Sequence, residues 1–101
     1  PNSPGKLPAR ASLDAAGVGN DPLIIRSWRP GDRMRPFGMR GSRKLQDIFT
    51  DARIPVKKRA AIPLVLCRGS IIWIPGYRIA EGWQVPDASQ PAVQLLMRKT
   101  R

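Results

Sequence analysis

The stretch Leu64-Val65-Leu66-Cys67-Arg68-Gly69-Ser70-Ile71-Ile72-Trp73-Ile74 decides the fold of this chain, because it sets two apolar runs around a short connection. The aliphatic and aromatic side chains of the two runs are common in strands. A connection of three residues that includes glycine is typical of a hairpin. The sequence therefore predicts a β-hairpin with strands at 64–67 and 71–74.

Shorter apolar stretches on both sides of this hairpin predict further strands. The last of them, Ala92–Arg98, alternates so that Val93, Leu95 and Met97 share one face. The others are an edge strand at Ala11–Ala16, a strand at Leu23–Trp28, an extension of the hairpin at Tyr77–Ile79 and a weaker strand at Trp83–Val85.

Two short helices are predicted between these strands. One has an apolar stripe at spacings i, i+3, i+4 and i+7, formed by Leu45, Ile48, Phe49 and Ala52. Ser42 is its expected N-cap, and Ile54 before Pro55 marks its end. The second helix runs from Pro55 to Ala61. Together the elements predict an α+β fold, a small mixed or antiparallel, β-sandwich-like sheet core with two short helices.

Positive charge is concentrated in the middle of the chain. The 101 residues fit one small domain and carry a formal net charge of +11. Between Leu23 and Arg59 there are eleven Lys and Arg residues but only three Asp residues. This imbalance favours a polyanionic partner, with nucleic acid the first candidate. The alternative is a generally basic surface without a specific partner.

The densest charge lies in the segment from Arg29 to Lys44, here called the basic loop. Its six cations are Arg29, Arg33, Arg35, Arg40, Arg43 and Lys44, and its only acid is Asp32. Such a loop repels itself unless an anion lies against it, and guanidinium groups suit phosphate. Arg43 and Lys44 are expected in the first helical turn, where free N–H groups would also meet a phosphate. Alternatively, both side chains extend into water.

A second basic run consists of Lys57, Lys58 and Arg59. It either extends the cationic surface along a nucleic-acid backbone or forms an ordinary solvated face. Met34, Phe37 and Met39 are predicted to pin the basic loop to the core, although Phe37 could instead stack on a base. The three tryptophans, Trp28, Trp73 and Trp83, are predicted to belong to the core.

Missing residue types exclude several functions. The chain has no histidine, so it lacks the commonest general base and metal ligand. Cys67 is the only cysteine, which excludes an internal disulfide, favours a reducing, cytoplasmic location and predicts a small buried side chain. Seven scattered acids predict no metal cluster, and no phosphate-binding glycine motif is present. A self-contained enzyme is therefore not expected. No apolar stretch approaches the length of a membrane span, and the polar, proline-rich start does not have the features of a signal peptide.

The start of the chain predicts a linker. Residues 1–10 contain three prolines and one glycine and are expected to form a flexible linker or tail, which leaves 11–101 as the domain. Because the first residue is not methionine, we expect the chain to be a piece of a longer protein.

Several short motifs follow one another in a definite order. They are Ile25–Arg33, Pro36–Met39, Lys44–Phe49, Ile54-Pro55, Arg59, Ile62-Pro63 and Ile72–Ile79. The ordered set resembles the C-terminal domain of the tRNA(Ile)-lysidine synthetase family. One departure is the run after Pro55, which often contains acids in that family, whereas Lys57–Ala60 contains none.

The resemblance implies a non-catalytic tRNA-binding domain, similar to a tRNA-binding module of phenylalanyl-tRNA synthetase, that contacts the acceptor-stem side of tRNA(Ile). It also implies an upstream catalytic domain that uses ATP and Mg²⁺ to join lysine to the wobble cytidine. This chain alone would then be inactive and hold no cofactor. The alternative is a free-standing structural RNA-binding protein, such as a ribosomal component.

By position, the resemblance assigns the RNA contacts to the basic loop, and the charge pattern adds the second basic run. The full set is Arg29, Arg33, Arg35, Arg40, Arg43, Lys44, Lys57, Lys58 and Arg59.

Overall fold

The central hairpin forms as the sequence predicts. The computed structural model of the chain describes residues 3–100. Strands β5 (Leu64–Cys67) and β6 (Ser70–Trp73) pair antiparallel across the two-residue turn Arg68-Gly69. Both turn residues have positive φ, 50° and 80°, as a type I′ hairpin turn requires. Ser70 thus belongs to the strand and not to the turn.

The hairpin belongs to one sheet and packs against a second. In one, β2 (Leu23–Arg26) pairs antiparallel with β5, and the order is β2–β5–β6. In the other, β1 (Ala9–Asp14) pairs antiparallel with β7 (Ala92–Met97). Along β7 the side chains alternate between half-buried and exposed, which confirms the predicted final strand and its inward face.

The β5 strand separates two apolar clusters, because all four of its residues are buried. Its side chains at 64 and 66 pack in one cluster with Leu45, Ile48 and Phe49 of helix α2 (Leu45–Asp51). Those at 65 and 67 pack in the other with Ala11 and Leu13 of β1. The helices α1 (Ala15–Val18) and α3 (Val56–Arg59) are single turns. The fold is a small, mostly antiparallel β domain with short helices.

The tryptophans and the cysteine occupy the core as predicted. Trp73 and Cys67 are fully buried, while Trp28 and Trp83 are partly buried against the apolar clusters. Cys67 is a free thiol.

Some predicted elements are wrong in detail. The segment Trp83–Val85 is not a strand; the Trp83 carbonyl accepts the Asp14 N–H at 2.9 Å within a turn region. Tyr77–Ile79 contributes only an isolated bridge from Ile79 to Trp73. Helix α1 was not predicted, because four residues carry too little periodicity to identify a helix.

The predicted linker, residues 1–10, is attached to the domain over its described part; residues 1 and 2 lie outside the described residues. The Ser3 N–H donates to the Gly76 carbonyl at 2.8 Å, and the Gly5 N–H donates to the Pro75 carbonyl at 2.7 Å. A Cβ on Gly76 would lie 2.3 Å from the Ser3 carbonyl oxygen, so glycine is needed for this approach. From Ala9 the chain is already in β1.

Candidate nucleic-acid interface

The basic loop opens with a tight turn at Arg29-Pro30-Gly31-Asp32. The Asp32 N–H donates to the Arg29 carbonyl at 3.0 Å, and Gly31 has φ 93°. Proline second and a positive-φ glycine third are the pattern of a type II turn. The turn fixes the direction in which the loop leaves β2.

Asp32 holds this turn in place. Its carboxylate accepts two hydrogen bonds from the Arg26 guanidinium, at 2.9 and 3.0 Å, and one from the Arg29 N–H at 2.7 Å. Its carbonyl accepts the Leu45 N–H at 3.0 Å, which joins the turn to the start of α2. The Arg26 hydrogen bonds, with help from the Arg29 amide, lower the pKa of Asp32 below its ordinary 3.8.

A short ribbon then presents two cations side by side. Strands β3 (Arg33–Met34) and β4 (Arg43–Lys44) pair antiparallel, with Arg33 opposite Lys44 and Met34 opposite Arg43. Directly opposed residues share a face, and Met34 is buried, so Arg33 and Lys44 lie together on the outer face. Like charges in this arrangement are destabilising by themselves, and a bound anion would remove the cost.

The middle of the loop is tied to the segment after β6. Pro36 forms a bridge with Ala80, and the Phe37 N–H donates to the Ile79 carbonyl at 2.9 Å. The Gly38 N–H donates to the Glu81 carboxylate at 3.0 Å. That hydrogen bond is the main reason that the pKa of Glu81 lies below its ordinary 4.5. Both halves of the loop are therefore held by the rest of the domain.

The three apolar side chains of the loop differ in position. Met34 is buried, as predicted, and Met39 is half-buried. Phe37 is 45% exposed, so its predicted role as a core anchor is wrong. The exposed Phe37 ring leaves the alternative prediction, stacking on a base, open.

Helix α2 does not start where the sequence predicts. Helix α2 begins at Leu45 with Lys44 as N-cap, and Arg43 and Lys44 are extended because they pair with β3. Ser42 is not the N-cap; its hydroxyl accepts a hydrogen bond from Arg33 Nε at 2.9 Å. The Leu45 N–H is already bonded to Asp32. Local sequence favoured a helical cap, and the strand pairing overrode it.

The predicted contact residues fall into two groups. Arg29, Arg40 and Lys44 are exposed and make no side-chain hydrogen bond or ion pair with any residue from 3 to 100. Arg33 is exposed and held by Ser42, and Arg35 is exposed with Nε 3.4 Å from the Met39 carbonyl.

Two arginines of the predicted set are used within the fold. Arg43 pairs with Asp51 at 2.5 Å, which raises the pKa of the arginine. Arg59 is only 8% exposed: its Nε donates to the Ile54 carbonyl at 2.9 Å, and its guanidinium carbon lies 5.8 Å from the centre of the Phe49 ring. Arg59 therefore belongs to the core and is separated from its exposed neighbours Lys57 and Lys58.

Sequence reasoning missed the two carboxylates that shape the loop. Asp32 carries a local signal, since it is the only acid in the loop and directly follows a Pro-Gly turn. Glu81 carries none, because it is 43 residues from Gly38 in sequence.

The described residues hold neither a metal cluster nor a membrane-spanning helix. Between residues 3 and 100, no three His, Cys, Asp or Glu side chains are grouped so that they could hold a metal ion. No helix in the same range is long and apolar enough to cross a membrane.

The fold and the loop define a class of protein: a small, mostly antiparallel β domain that presents a shaped, strongly cationic loop. A family model described as the TilS substrate C-terminal domain matches residues 23–95, and the chain belongs to this family. This confirms the resemblance inferred from the ordered motifs.

Relatives agree with this assignment. The tRNA(Ile)-lysidine synthase of Symbiobacterium thermophilum is 40% identical over 101 aligned residues, which cover 95% of this chain and 21% of that protein. The tRNA(Ile)-lysidine synthase of Geobacter sulfurreducens is 40% identical over 80 residues, 79% of this chain and 17% of that protein. The chain thus spans about a fifth of the length of these relatives.

A solved structure agrees as well. The crystal structure of a TilS C-terminal domain superimposes on this chain with a TM-score of 0.74 and 32% sequence identity. The superposition covers 85% of this chain and 66% of the other.

Proposed function

We propose that this chain is a tRNA-binding domain of a tRNA(Ile)-lysidine synthase and that the outer face of the basic loop holds the tRNA backbone. The observation that carries the proposal is the pairing of Arg33 with Lys44 on one exposed face, within a loop whose other cations are also exposed or half-buried. Such a cluster gives strong, salt-dependent attraction to phosphates. Family membership favours this role over a free-standing structural RNA-binding protein.

The chemistry of the parent enzyme belongs to another part of it. In this proposal an upstream domain binds ATP and Mg²⁺ and joins lysine to the wobble cytidine of tRNA(Ile) in the cytoplasm, while this domain positions the tRNA. The contact is made on the acceptor-stem side, as in the phenylalanyl-tRNA synthetase module that the family resembles. This chain holds no cofactor in that scheme.

The proposed contacts are weighted by how the side chains are used. The main set is Arg29, Arg33, Arg40 and Lys44, which lie exposed on the loop. Arg35 and Arg43 flank the set, and Lys57 and Lys58 extend it. Arg59 is left out because its guanidinium is buried and bonded to Ile54.

The test is tRNA(Ile) binding by the 101-residue chain as a function of salt. In the triple variant Arg29→Gln, Arg40→Gln and Lys44→Gln we expect affinity to fall about tenfold or more at roughly 100 mM salt. The slope of log K against log salt should decrease by about two to three, since each phosphate contact contributes just under one. Circular dichroism and thermal unfolding should match the wild type, because none of the three side chains bonds to any residue from 3 to 100.

A charge-matched control variant is Lys6→Gln, Arg10→Gln and Arg53→Asn, which removes three exposed cations outside the loop. Asparagine is used at 53 because that residue has φ 59°. Equal weakening of binding by the two triple variants would sink the loop assignment and leave a general charge effect. An acceptor-stem minihelix that competes no better than an anticodon stem-loop would contradict the acceptor-stem side.

A further inference from the structure

A second surface of the domain combines an apolar floor with a cationic rim. It is a groove of about 770 Å³ between the N-terminal segment, helix α3 and the end of β7. Its floor is made of aliphatic and proline side chains, among them Leu7, Ile54, Ile62, Pro63 and Met97. It has no lining residue in common with the basic loop.

The rim of this groove is positively charged. Lys57 and Lys58 stand on the α3 side, and Arg98 and Lys99 follow β7 on the other; all four are exposed. No Asp or Glu occurs among the described residues that line the groove. A ligand that covers the apolar floor must therefore also bring negative charge to both edges.

The groove is preformed on the N-terminal side. Its wall at Pro4 and Gly5 is fixed by the Gly5 N–H bond to the Pro75 carbonyl at 2.7 Å. The Gly5 backbone lies so close to Ile62 that a Cβ on Gly5 would be 2.7 Å from Ile62 Cγ1. A fixed wall lowers the entropy that a bound chain loses.

We infer that this groove binds unpaired nucleotides of an RNA, with phosphates along the two cationic edges and a base on the apolar floor. A duplex keeps its bases stacked inside and would leave the floor uncovered, whereas a single strand offers base faces and phosphates together. The inference rests on the proposed function in taking RNA as the ligand, and it gives Lys57 and Lys58 a groove that shares no lining residue with the basic loop.

The experiment measures binding of fluorescein-labelled hexauridylate to the 101-residue chain by anisotropy. Ala61 is exposed and lines the groove, whereas the adjacent Ala60 is exposed and does not line it. Ala61→Phe should fill the groove and weaken hexauridylate binding about tenfold, within the range expected for loss of one stacked base. Ala60→Phe, the matched control with the same added ring, should stay within about twofold.

The cationic edges are tested separately. Lys57→Gln with Lys58→Gln should lower the salt slope for hexauridylate by about one and a half, since each single-strand phosphate contact contributes about 0.7. If Ala61→Phe does not fold, Ala61→Leu takes its place, with Ala60→Leu as its matched control.

Three outcomes would overturn the inference. One is equal affinity of Ala61→Phe and Ala60→Phe for hexauridylate. Another is a blunt RNA duplex of equal phosphate number that competes as well as hexauridylate. The third is oligoglutamate competing as well, which would mean a site for acidic protein segments. The comparison of Ala61→Phe with Ala60→Phe touches no residue of the proposed loop contacts, so a loss of loop-dependent tRNA binding and a loss of groove-dependent single-strand binding can be told apart.

Discussion

The side chains of Arg29, Arg40 and Lys44 lie on the outside of the basic loop and form no hydrogen bond or ion pair with residues 3–100. Those of Arg26, Arg59 and Arg68 lie against the fold and join its elements. Arg68 donates to the Gly17 carbonyl at 2.7 Å and to Asp21 at 2.8 Å, and it covers the Trp83 ring at 5.2 Å. Cationic side chains thus remain exposed on the basic loop and stabilise the fold elsewhere in the domain.

The difference between these cations reflects which of them are paired with the acids of the chain. Each ion pair in the described residues takes an arginine that also touches the rest of the fold: Arg26 with Asp32, Arg43 with Asp51 and Arg68 with Asp21. The exposed loop cations form no salt bridge within residues 3–100. A net charge of +11 is therefore presented largely as an unneutralised surface and not spread through internal pairs.

Removing Asp32 should have the largest effect, because Asp32 lies in the basic loop and also pairs with Arg26, an arginine that joins elements of the fold. Asp32→Ala leaves Arg26 without its bidentate partner and the Arg29 N–H without its acceptor. Both side chains of the pair are largely shielded, so we expect a loss of about 2–3 kcal/mol in the free energy of unfolding, measured in urea.

Asp51→Ala is the control for this loss. Asp51 also pairs with an arginine, but its side chain is 65% exposed, and its removal should cost no more than about 1 kcal/mol. Equal costs for the two variants would mean that the turn at Arg29-Pro30-Gly31-Asp32 does not depend on its carboxylate.

The adjacent residues Lys58 and Arg59 allow an exposed cation to be compared with a buried one. Arg59→Ala removes packing on Phe49 and the hydrogen bond to the Ile54 carbonyl, and should cost about 2 kcal/mol of stability. Lys58→Ala, at an exposed position, should change stability by no more than about 0.5 kcal/mol. RNA affinity should respond in the opposite order, falling for Lys58→Ala and staying within about twofold for Arg59→Ala.

Thermal or urea unfolding and anisotropy on the same samples check both halves of this prediction. Weaker RNA binding by folded Arg59→Ala than by Lys58→Ala would mean that Arg59 contacts RNA.

Acid should destabilise the fold through the carboxylates that have lowered pKa values. The pKa of Asp32 lies below 3.8 in the folded chain because of its hydrogen bonds from Arg26 and the Arg29 amide. Its contribution to stability is therefore fully present above pH 3.8 and is lost as the pH falls through the lower, folded value. Urea unfolding between about pH 7 and pH 2.5 should show a decline that begins near pH 4.

Asp32→Asn isolates this contribution. The variant should be less stable at neutral pH, and its stability should converge with that of the wild type as the pH falls below the folded pKa of Asp32. Parallel curves over the whole range would contradict the assignment. Glu81, whose pKa is also lowered, contributes to the decline in both proteins.

Local sequence predicted the parts of the molecule that depend on neighbours in the chain. The hairpin at 64–73 followed from two apolar runs and a glycine, and the stripe of Leu45, Ile48 and Phe49 predicted α2. The cationic loop was evident from composition. Its shape was not, because the strand pairing of Arg33 with Lys44 and the Gly38–Glu81 bond join residues far apart in sequence.

The sequence also does not show which cations are exposed and which are buried in the fold. Arg59 stands in a run with Lys57 and Lys58, and nothing in that run marks it as buried. Its burial follows from the meeting of α2 and α3, which places a carbonyl and an aromatic ring where its guanidinium can reach. Charge patterns therefore locate a basic region, and only the fold separates its binding residues from its structural ones.

The smallest effect is expected at the far end of the loop, where Glu81 accepts the Gly38 N–H. Glu81→Ala removes this acceptor, so hydrogen exchange of the Gly38 amide should become about fivefold faster, while exchange in β5 stays unchanged. Glu81→Gln keeps an oxygen acceptor at the same reach and should change the rate less, which separates the hydrogen bond from the charge. Unchanged exchange of the Gly38 amide in Glu81→Ala would show that the backbone contacts of Pro36 and Phe37 alone fix the loop. Equal acceleration in both variants would mean that the negative charge of Glu81, which also acts on Arg35, holds the exposed cations in place.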